Sequence, residues 1–327
     1  MMAEFLHRRR VSFSAHLAFL LLSSSLMVSH AQTEPFALPS HAGAMLLDLE
    51  GLRISEASAK PGGNEIGIRA HDAGHTEMLA FLFLTPNFPT QSAASCLKQD
   101  LDQLKKDSAG RNTFTSQPYP DDVDTAESAT LLITYGNSSQ QLHKYAGAGD
   151  QCFAVEVYPD KNTKLDLGAA RALLVRQGYD PHYQPSSTDQ YTYANILYRT
   201  RQYRASIPVY DSFLASVPKG KETIVSRRVA TDNLGLALAR SGDIDAALKL
   251  LTDAAHHDSA YPRYYYNLAC TDAEGGDAER ARVHLQQAFE RRSHMPPGEA
   301  FPDPTTDESL LKLKDNKAFW DFVQSLR

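Results

Sequence analysis

NLGLALARSGDIDAALKLLTDAA, residues 233–255, decides the fold. Leu234, Gly235 and Leu238 recur at helical steps, Gly242-Asp243 breaks the run, and Ala247, Leu251 and Ala254 resume it. A Gly just past one helix and an Asp just before the next are stop and start signals. Two antiparallel helices can approach closely only where Gly or Ala sits at the crossing, with Leu filling the space beside it. The pattern returns in YYYNLACTDAEGGDAERARVHLQQAF, residues 264–289: Leu268 and Ala269, then Gly276-Asp277, then Ala281, Leu285 and Ala288. The step from Gly242 to Gly276 is 34 residues, a period of helix-pair repeats.

Both units resemble tetratricopeptide repeats. A more divergent unit precedes them in YTYANILYRTRQYRASIPVYDSFLASVP, residues 191–218. Ala194 and Leu197 take the first-helix positions, and Tyr203, Ile207 and Tyr210 those of the second. Ser206 and Phe213 stand where the family usually has Ala, Arg201 replaces the turn Gly, and KGKETIV (219–225) holds seven extra residues. The resemblance implies an all-α solenoid over 184–292, with repeats at about 186–219, 227–260 and 261–294. One helix pair cannot bury its apolar face alone, so such arrays need about three units and a cap. Residues 293–327 supply a Pro-rich loop and capping helices: Leu310 and Leu313 on one, and Phe319, Phe322, Val323 and Leu326 on another behind Asp315 as its N-cap.

The first half follows a different period. NEIGIRAHD (64–72), MLAFLFL (78–84), ATLLITYG (129–136) and QCFAVEVYP (151–159) are short β-rich runs separated by Gly, Pro, Asn and Asp. Residues 92–106 read as one helix, with Leu97, Leu101 and Leu104 on its apolar face. Residues 165–177 read as a second, with Leu167, Ala170, Leu173 and Leu174 inward. The expectation for 32–183 is an α+β domain, two helices against an antiparallel sheet. Its order of elements is similar to the PsbP-like α/β fold of exported accessory proteins.

At 327 residues and 42% hydrophobic, the chain can bury a substantial core, and its length suggests two domains. Arg8, Arg9 and Arg10 precede a mostly apolar stretch, Val11 to Val28, and Ser29-His30-Ala31 sets up a cut before Gln32. Residues 1–31 therefore read as a cleaved secretory signal. A membrane span needs about 20 strongly apolar residues, and His16 and Ser23 to Ser25 interrupt this one. The expectation is a secreted or periplasmic chain with no membrane span in its mature form. Losing three Arg and one Glu makes that form two charges more negative than the whole chain's −6. With no basic stripe, a nucleic-acid partner is disfavoured. Of three cysteines, Cys96 and Cys152 lie in the α+β domain and are expected to pair in an oxidising compartment. Cys270 falls at a small-residue helical position, where a thiol acts as a small hydrophobe.

HDAGH (71–75) is the sharpest enzymatic suggestion, two His four apart beside a carboxylate. A metalloprotease motif needs a continuous helix, whereas Asp-Ala-Gly reads as a turn between strands. No nucleophile elbow and no phosphate-binding loop is present in the sequence. PDDVD (120–124) reads as a solvated loop, and PDKNTKLDLG (159–168) lacks EF-hand spacing. No catalytic residue, metal or cofactor is expected.

Tetratricopeptide arrays usually bind an extended segment along the concave surface of their first helices. The resemblance places Tyr191, Asn195 and Tyr198 there from the first unit, Asp232, Asn233 and Leu236 from the second, and Arg263, Tyr266 and Asn267 from the third. Members that clamp a terminal carboxylate use two Asn and three basic residues. Here Asn195, Asn233 and Arg263 match, while Tyr191 and Asn267 depart. The leading reading is a non-enzymatic exported module for a protein or peptide partner. A second is a small or lipid-like ligand held by the α+β domain with the repeats as a dock. A third is a metal-dependent hydrolase at HDAGH.

Overall fold

The computed structural model describes residues 33–326, except 74–75, 86–90, 108–113, 120–127, 137, 160–162 and 297–298. The expected signal segment and the PDDVD loop lie outside the described residues. The chain divides into two compact units, and the boundary between Asp189 and Gln190 falls inside a helix.

The first unit is built on an antiparallel sheet. β3 (Arg53–Lys60), β4 (Glu65–His71), β5 (Thr76–Leu84), β6 (Phe114–Pro118), β7 (Ser128–Tyr135), β8 (Gln140–Ala148) and β9 (Gln151–Pro159) pair in the order β3-β4-β5-β9-β8-β7-β6. A smaller sheet joins β1 (Thr33–Ala37), β2 (Ala44–Asp48) and β10 (Gly178–Asp180). Helix α1 (Ala93–Asp107) packs on β7, β8 and β9, and α2 (Leu167–Val175) packs on β8 and β9. The α2 N-cap is Asp166, whose carboxylate accepts from the backbone N–H of Gly168 and Ala169.

Strand alternation separates the two faces. Phe153, Val155 and Val157 of β9 are fully buried on one. On the other, Cys152 and Ala154 join Cys96, Leu131, Ile133 and Tyr145 in a core that takes Leu97, Leu101 and Leu104 of α1 at its edge. Cys96 and Cys152 form a disulfide that ties α1 to β9. Gly147 opposes Cys152 in the β8–β9 ladder, and a Cβ there would stand 2.6 Å from Cys96 Sγ, so this position must stay small.

The second unit is helical. α3 (Ser187–Arg199) and α4 (Tyr203–Ser216), α5 (Ile224–Arg240) and α6 (Ile244–His257), and α7 (Pro262–Glu274) and α8 (Ala278–Glu290) form three successive pairs. A 3-10 turn, Leu310–Leu313, and α9 (Lys317–Ser325) follow. This order, an antiparallel sheet and then a run of helices, is compatible with a helical-repeat solenoid. Asp243 and Asp277 cap α6 and α8 through the N–H of Ala246 and Arg280. A Cβ on Gly235 would meet Leu251 Cγ at 2.5 Å, so α5 and α6 approach as closely as the small-residue pattern requires. Gly242 and Gly276 hold left-handed backbone at φ 93° and 80°. Arg201 takes the same turn in the first pair at φ 62°, a conformation that strains an L side chain.

One local expectation is corrected. The N-cap of α9 is Asn316 rather than Asp315: its backbone is extended and its side-chain oxygen accepts from Phe319 N at 3.1 Å. In α6 Ala247, Leu251 and Ala255 are buried at i, i+4 and i+8, and Ala254, half-buried, packs against the same core.

Candidate functional site: the first helices of the repeats

The nine residues expected on the concave face come from α3, α5 and α7. Tyr191, Asn195 and Tyr198 of α3 keep partial exposure, as does Arg263 of α7. Asp232, Asn233, Leu236, Tyr266 and Asn267 do not. All five are buried, Asp232 completely, and the expectation that they face a partner is corrected.

The reason is a set of bonds between adjacent repeats. Tyr210 Oη donates to Asn195 Oδ1 at 2.7 Å, and Asn233 Nδ2 donates to the same oxygen at 3.2 Å and to Tyr210 Oη at 3.1 Å. The two Asn that match the carboxylate-clamp pattern thus bind each other and a tyrosine, joining the first repeat to the second. Asn267 Nδ2 donates to the Asp232 carbonyl at 2.9 Å. Tyr261 Oη and Arg263 Nε both donate to Asp232 Oδ2, at 2.8 and 3.0 Å, joining the second repeat to the third. Leu236 belongs to the main apolar core. Burial pushes the Asp232 carboxyl up to about 6, although Arg263 and Tyr261 pull it down.

Tyr266 is covered by the chain itself. Phe301 packs edge-on to its ring at 5.6 Å and also against Phe289 at 4.9 Å. Further along the same segment, Arg240 Nε donates to Ser309 Oγ at 3.2 Å, and Arg240 Nη2 lies 3.8 Å from Asp307 Oδ1. Arg201 pairs with Glu308, and Lys312 with Glu274. Leu310 is fully buried. Residues 301–313 therefore lie against α7 and the ends of α3 and α5, fixed by an aromatic anchor, an aliphatic anchor and acidic groups on Arg201 and Arg240. Sequence reading makes the start of 293–327 a Pro-rich loop, and its return onto the first helices is a tertiary fact with no local signal.

What stays open is an aromatic strip on α3. Tyr191 packs against Phe213 with the rings tilted at 5.1 Å, and Tyr198 packs edge-on to Tyr203 at 5.5 Å. Burial raises the Tyr191 hydroxyl to about 12, so it stays protonated and can donate or accept. Cys270 is a buried free thiol beside Asp307 at 3.6 Å.

HDAGH spans the connection between β4 and β5. His71 pairs opposite Glu77, Asp72 N donates to the Thr76 carbonyl at 3.1 Å, and Asp72 Oδ1 accepts from Thr76 N at 2.8 Å. The stretch connects two antiparallel strands, and its described residues, 71–73, are not helical; Gly74 and His75 lie outside the described residues. Among the described residues no helix is long and apolar enough to cross a membrane.

With this geometry in view, the comparisons with known proteins are narrow. The chain is 31% identical over 91 residues to the TPR repeat-containing thioredoxin TTL4 of Arabidopsis thaliana, a match covering 28% of this chain and 12% of that protein. The alignment thus spans about an eighth of that relative's length. A multi-domain immunophilin from Arabidopsis thaliana aligns over 80% of this chain and 98% of its own at 11% identity, with a TM-score of 0.26, too low to carry a fold argument. No family model matches the chain. None of these supports the PsbP-like likeness of the first unit.

Proposed function

We propose that the chain is an exported, non-enzymatic interaction module whose repeat unit binds an extended segment of a protein partner along its first helices. The observation that carries this reading is the seating of residues 301–313. The face already accommodates a segment that is neither helix nor strand for most of its length. It does so through an aromatic side chain on Tyr266 and carboxylates near Arg240 and Arg201. Those are the elements by which helical-repeat surfaces hold peptides: a rigid aromatic anchor and charge-assisted contacts. The strip of Tyr191, Asn195 and Tyr198, half-buried like Arg263, is the part left for a partner. The match to a TPR repeat-containing protein supports the interaction role, and the signal-like first 31 residues together with the disulfide support export.

The test is site-specific photocrosslinking of the full chain in its native host. A photoreactive residue at Tyr191 or Tyr198 is expected to capture a discrete protein partner. The same residue at Val283, exposed on the outer helix α8, is expected to capture none. Equal capture at both faces, or none at Tyr191 and Tyr198, overturns the assignment.

A further inference from the structure

The first unit contains a buried polar cluster that the interaction role does not use. His143 on β8 lies opposite Glu156 on β9 in the antiparallel ladder, so both side chains project from the same face. That face is the one covered by α1. The Cys96–Cys152 disulfide ties α1 to it, and Asp100, one helical turn after Cys96, is held over the pair. His143 is 1% exposed and Asp100 7%, while Glu156 is half-buried at the rim. One ligand-type atom from each of the three lies within 4.8 Å of the other two.

The imidazole is oriented. Gln141 Oε1 accepts from Tyr135 Oη at 3.2 Å and from His143 Nε2 at 3.0 Å, which places a proton on Nε2 and turns Nδ1 toward Asp100 Oδ2, 3.8 Å away. Tyr145 Oη sits between them, 3.0 Å from Nδ1 and 2.6 Å from Asp100 Oδ2. Those two links need two protons and the phenol brings one. The other must sit on Nδ1 or on Asp100, so the cluster holds one proton more than a neutral imidazole and two carboxylates supply.

The electrostatics agree. Burial raises Glu156, with the charge of Asp100 adding to it. Burial pulls His143 down, but the charges of Glu156 and Asp100 outweigh it and hold its proton. Arg69 on β4 acts on Glu156 and is already shared with Glu56 and Glu77. Tyr135, Tyr145 and Tyr158 all face the cluster and are raised by burial, so they stay neutral.

We infer that Asp100, His143 and Glu156 form a binding site for one divalent transition-metal ion. The ion takes the Nδ1 lone pair and the two carboxylates, and releases the trapped proton to solvent. One imidazole and two carboxylates suit Zn²⁺ and its first-row neighbours; Ca²⁺ and Mg²⁺ ask for more oxygen ligands. Ligand atoms around Zn²⁺ stand about 3.3 Å apart for bonds of about 2.0 Å, so the ion requires the Glu156 carboxyl to turn inward and the Tyr145 hydroxyl to give up Nδ1 while keeping its bond to Asp100. Gln141 and Tyr145 then serve as the outer partners that fix His143 and Asp100. The ligands come from three elements, two of them 43 residues apart in sequence, which is why no linear spacing reveals them.

The test uses the full chain after chelator treatment, titrated with Zn²⁺ in two buffers of different ionisation enthalpy, with Co²⁺ as a spectroscopic probe. One ion per chain, release of about one proton, a four-coordinate Co²⁺ visible spectrum and a higher Tm with Zn²⁺ are expected. Glu156→Gln, nearly isosteric and checked for folding by circular dichroism, is expected to weaken Zn²⁺ binding by about 100-fold or more. His143→Gln, checked for folding by circular dichroism, is expected to abolish it. His256→Ala with His257→Ala removes an exposed His pair in the other unit and is expected to change nothing. Absence of stoichiometric binding to the folded chain overturns the proposal. So does unchanged affinity in Glu156→Gln, or loss of the ion in the His256/His257 variant.

Discussion

Asp232 Oδ2 accepts from Arg263 Nε at 3.0 Å, while Oδ1 of the same buried carboxylate has no hydrogen-bond partner among the described residues. Burial pushes this carboxyl from its ordinary 3.8 up to about 6, with Arg263 opposing the rise. The native state therefore keeps a proton that the unfolded chain has already released. The resulting stability is fully present below pH 3.8 and is lost as pH rises through about 6. We expect urea unfolding of the wild type and of Asp232→Asn, compared from pH 4 to 7.5, to differ in a pH-dependent way. Acidification should move the difference toward the wild type by up to about 3 kcal/mol. A difference that is flat with pH would show that Asp232 is not titrating in that window.

Gly235 and Leu251 test the close approach of α5 and α6. A Cβ at 235 would overlap the buried Leu251 side chain at 2.5 Å. Gly235→Ala is expected to lower stability by about 1–3 kcal/mol, despite the helix propensity gained. Leu251→Ala alone should cost about 2–5 kcal/mol. In the double variant the losses should fall short of additivity, because the alanine at 235 then occupies space that Leu251 has left. Full additivity in denaturant melts would mean that the two helices do not touch at this pair.

The repeat unit was legible because its signal is periodic: Gly242-Asp243 and Gly276-Asp277 mark helix ends wherever tertiary contacts fall. The surface chemistry was not legible in the same way. Asn195 and Asn233 look like free polar groups on a helix face, but each is a hydrogen-bond partner of the neighbouring repeat. Tyr266 looks exposed until Phe301, 35 residues on, closes over it. In the first unit β8 went unread. Its alternation sets Gln141, His143 and Tyr145 against α1, so polar residues occupy the face that an apolar pattern is expected to mark. The metal-ligand set depends on strand register and on the disulfide, neither of which a window of sequence contains.

Arg201 provides a backbone test of the repeat assignment. It holds φ 62° at the turn where the later repeats have Gly, and its guanidinium pairs with Glu308. Replacing it removes both features, so two variants are needed. Arg201→Gly and Arg201→Ala lose the same exposed ion pair, but only glycine takes the left-handed backbone without strain. The glycine variant should be the more stable by about 1 kcal/mol. Equal melting curves would mean that the turn relaxes in Arg201→Ala.

The disulfide and Gly147 should be coupled. Cys96→Ala with Cys152→Ala opens a link between residues 56 apart, and the chain-entropy relation puts the loss at about 4 kcal/mol. Peptide mapping under non-reducing conditions should recover Cys96 joined to Cys152. Gly147→Ala forces a methyl toward Cys96 Sγ at 2.6 Å, with Gln91 Cβ at 3.2 Å on the other side. In the oxidised chain that should cost about 1–3 kcal/mol. In the Cys96→Ala, Cys152→Ala background the sulfur is gone and the cost should fall, leaving the part due to Gln91 and the β9 backbone. An undiminished cost in that background would show that the disulfide is not what excludes a side chain at 147. The register between β8 and β9, on which His143 and Glu156 also depend, would then need revision.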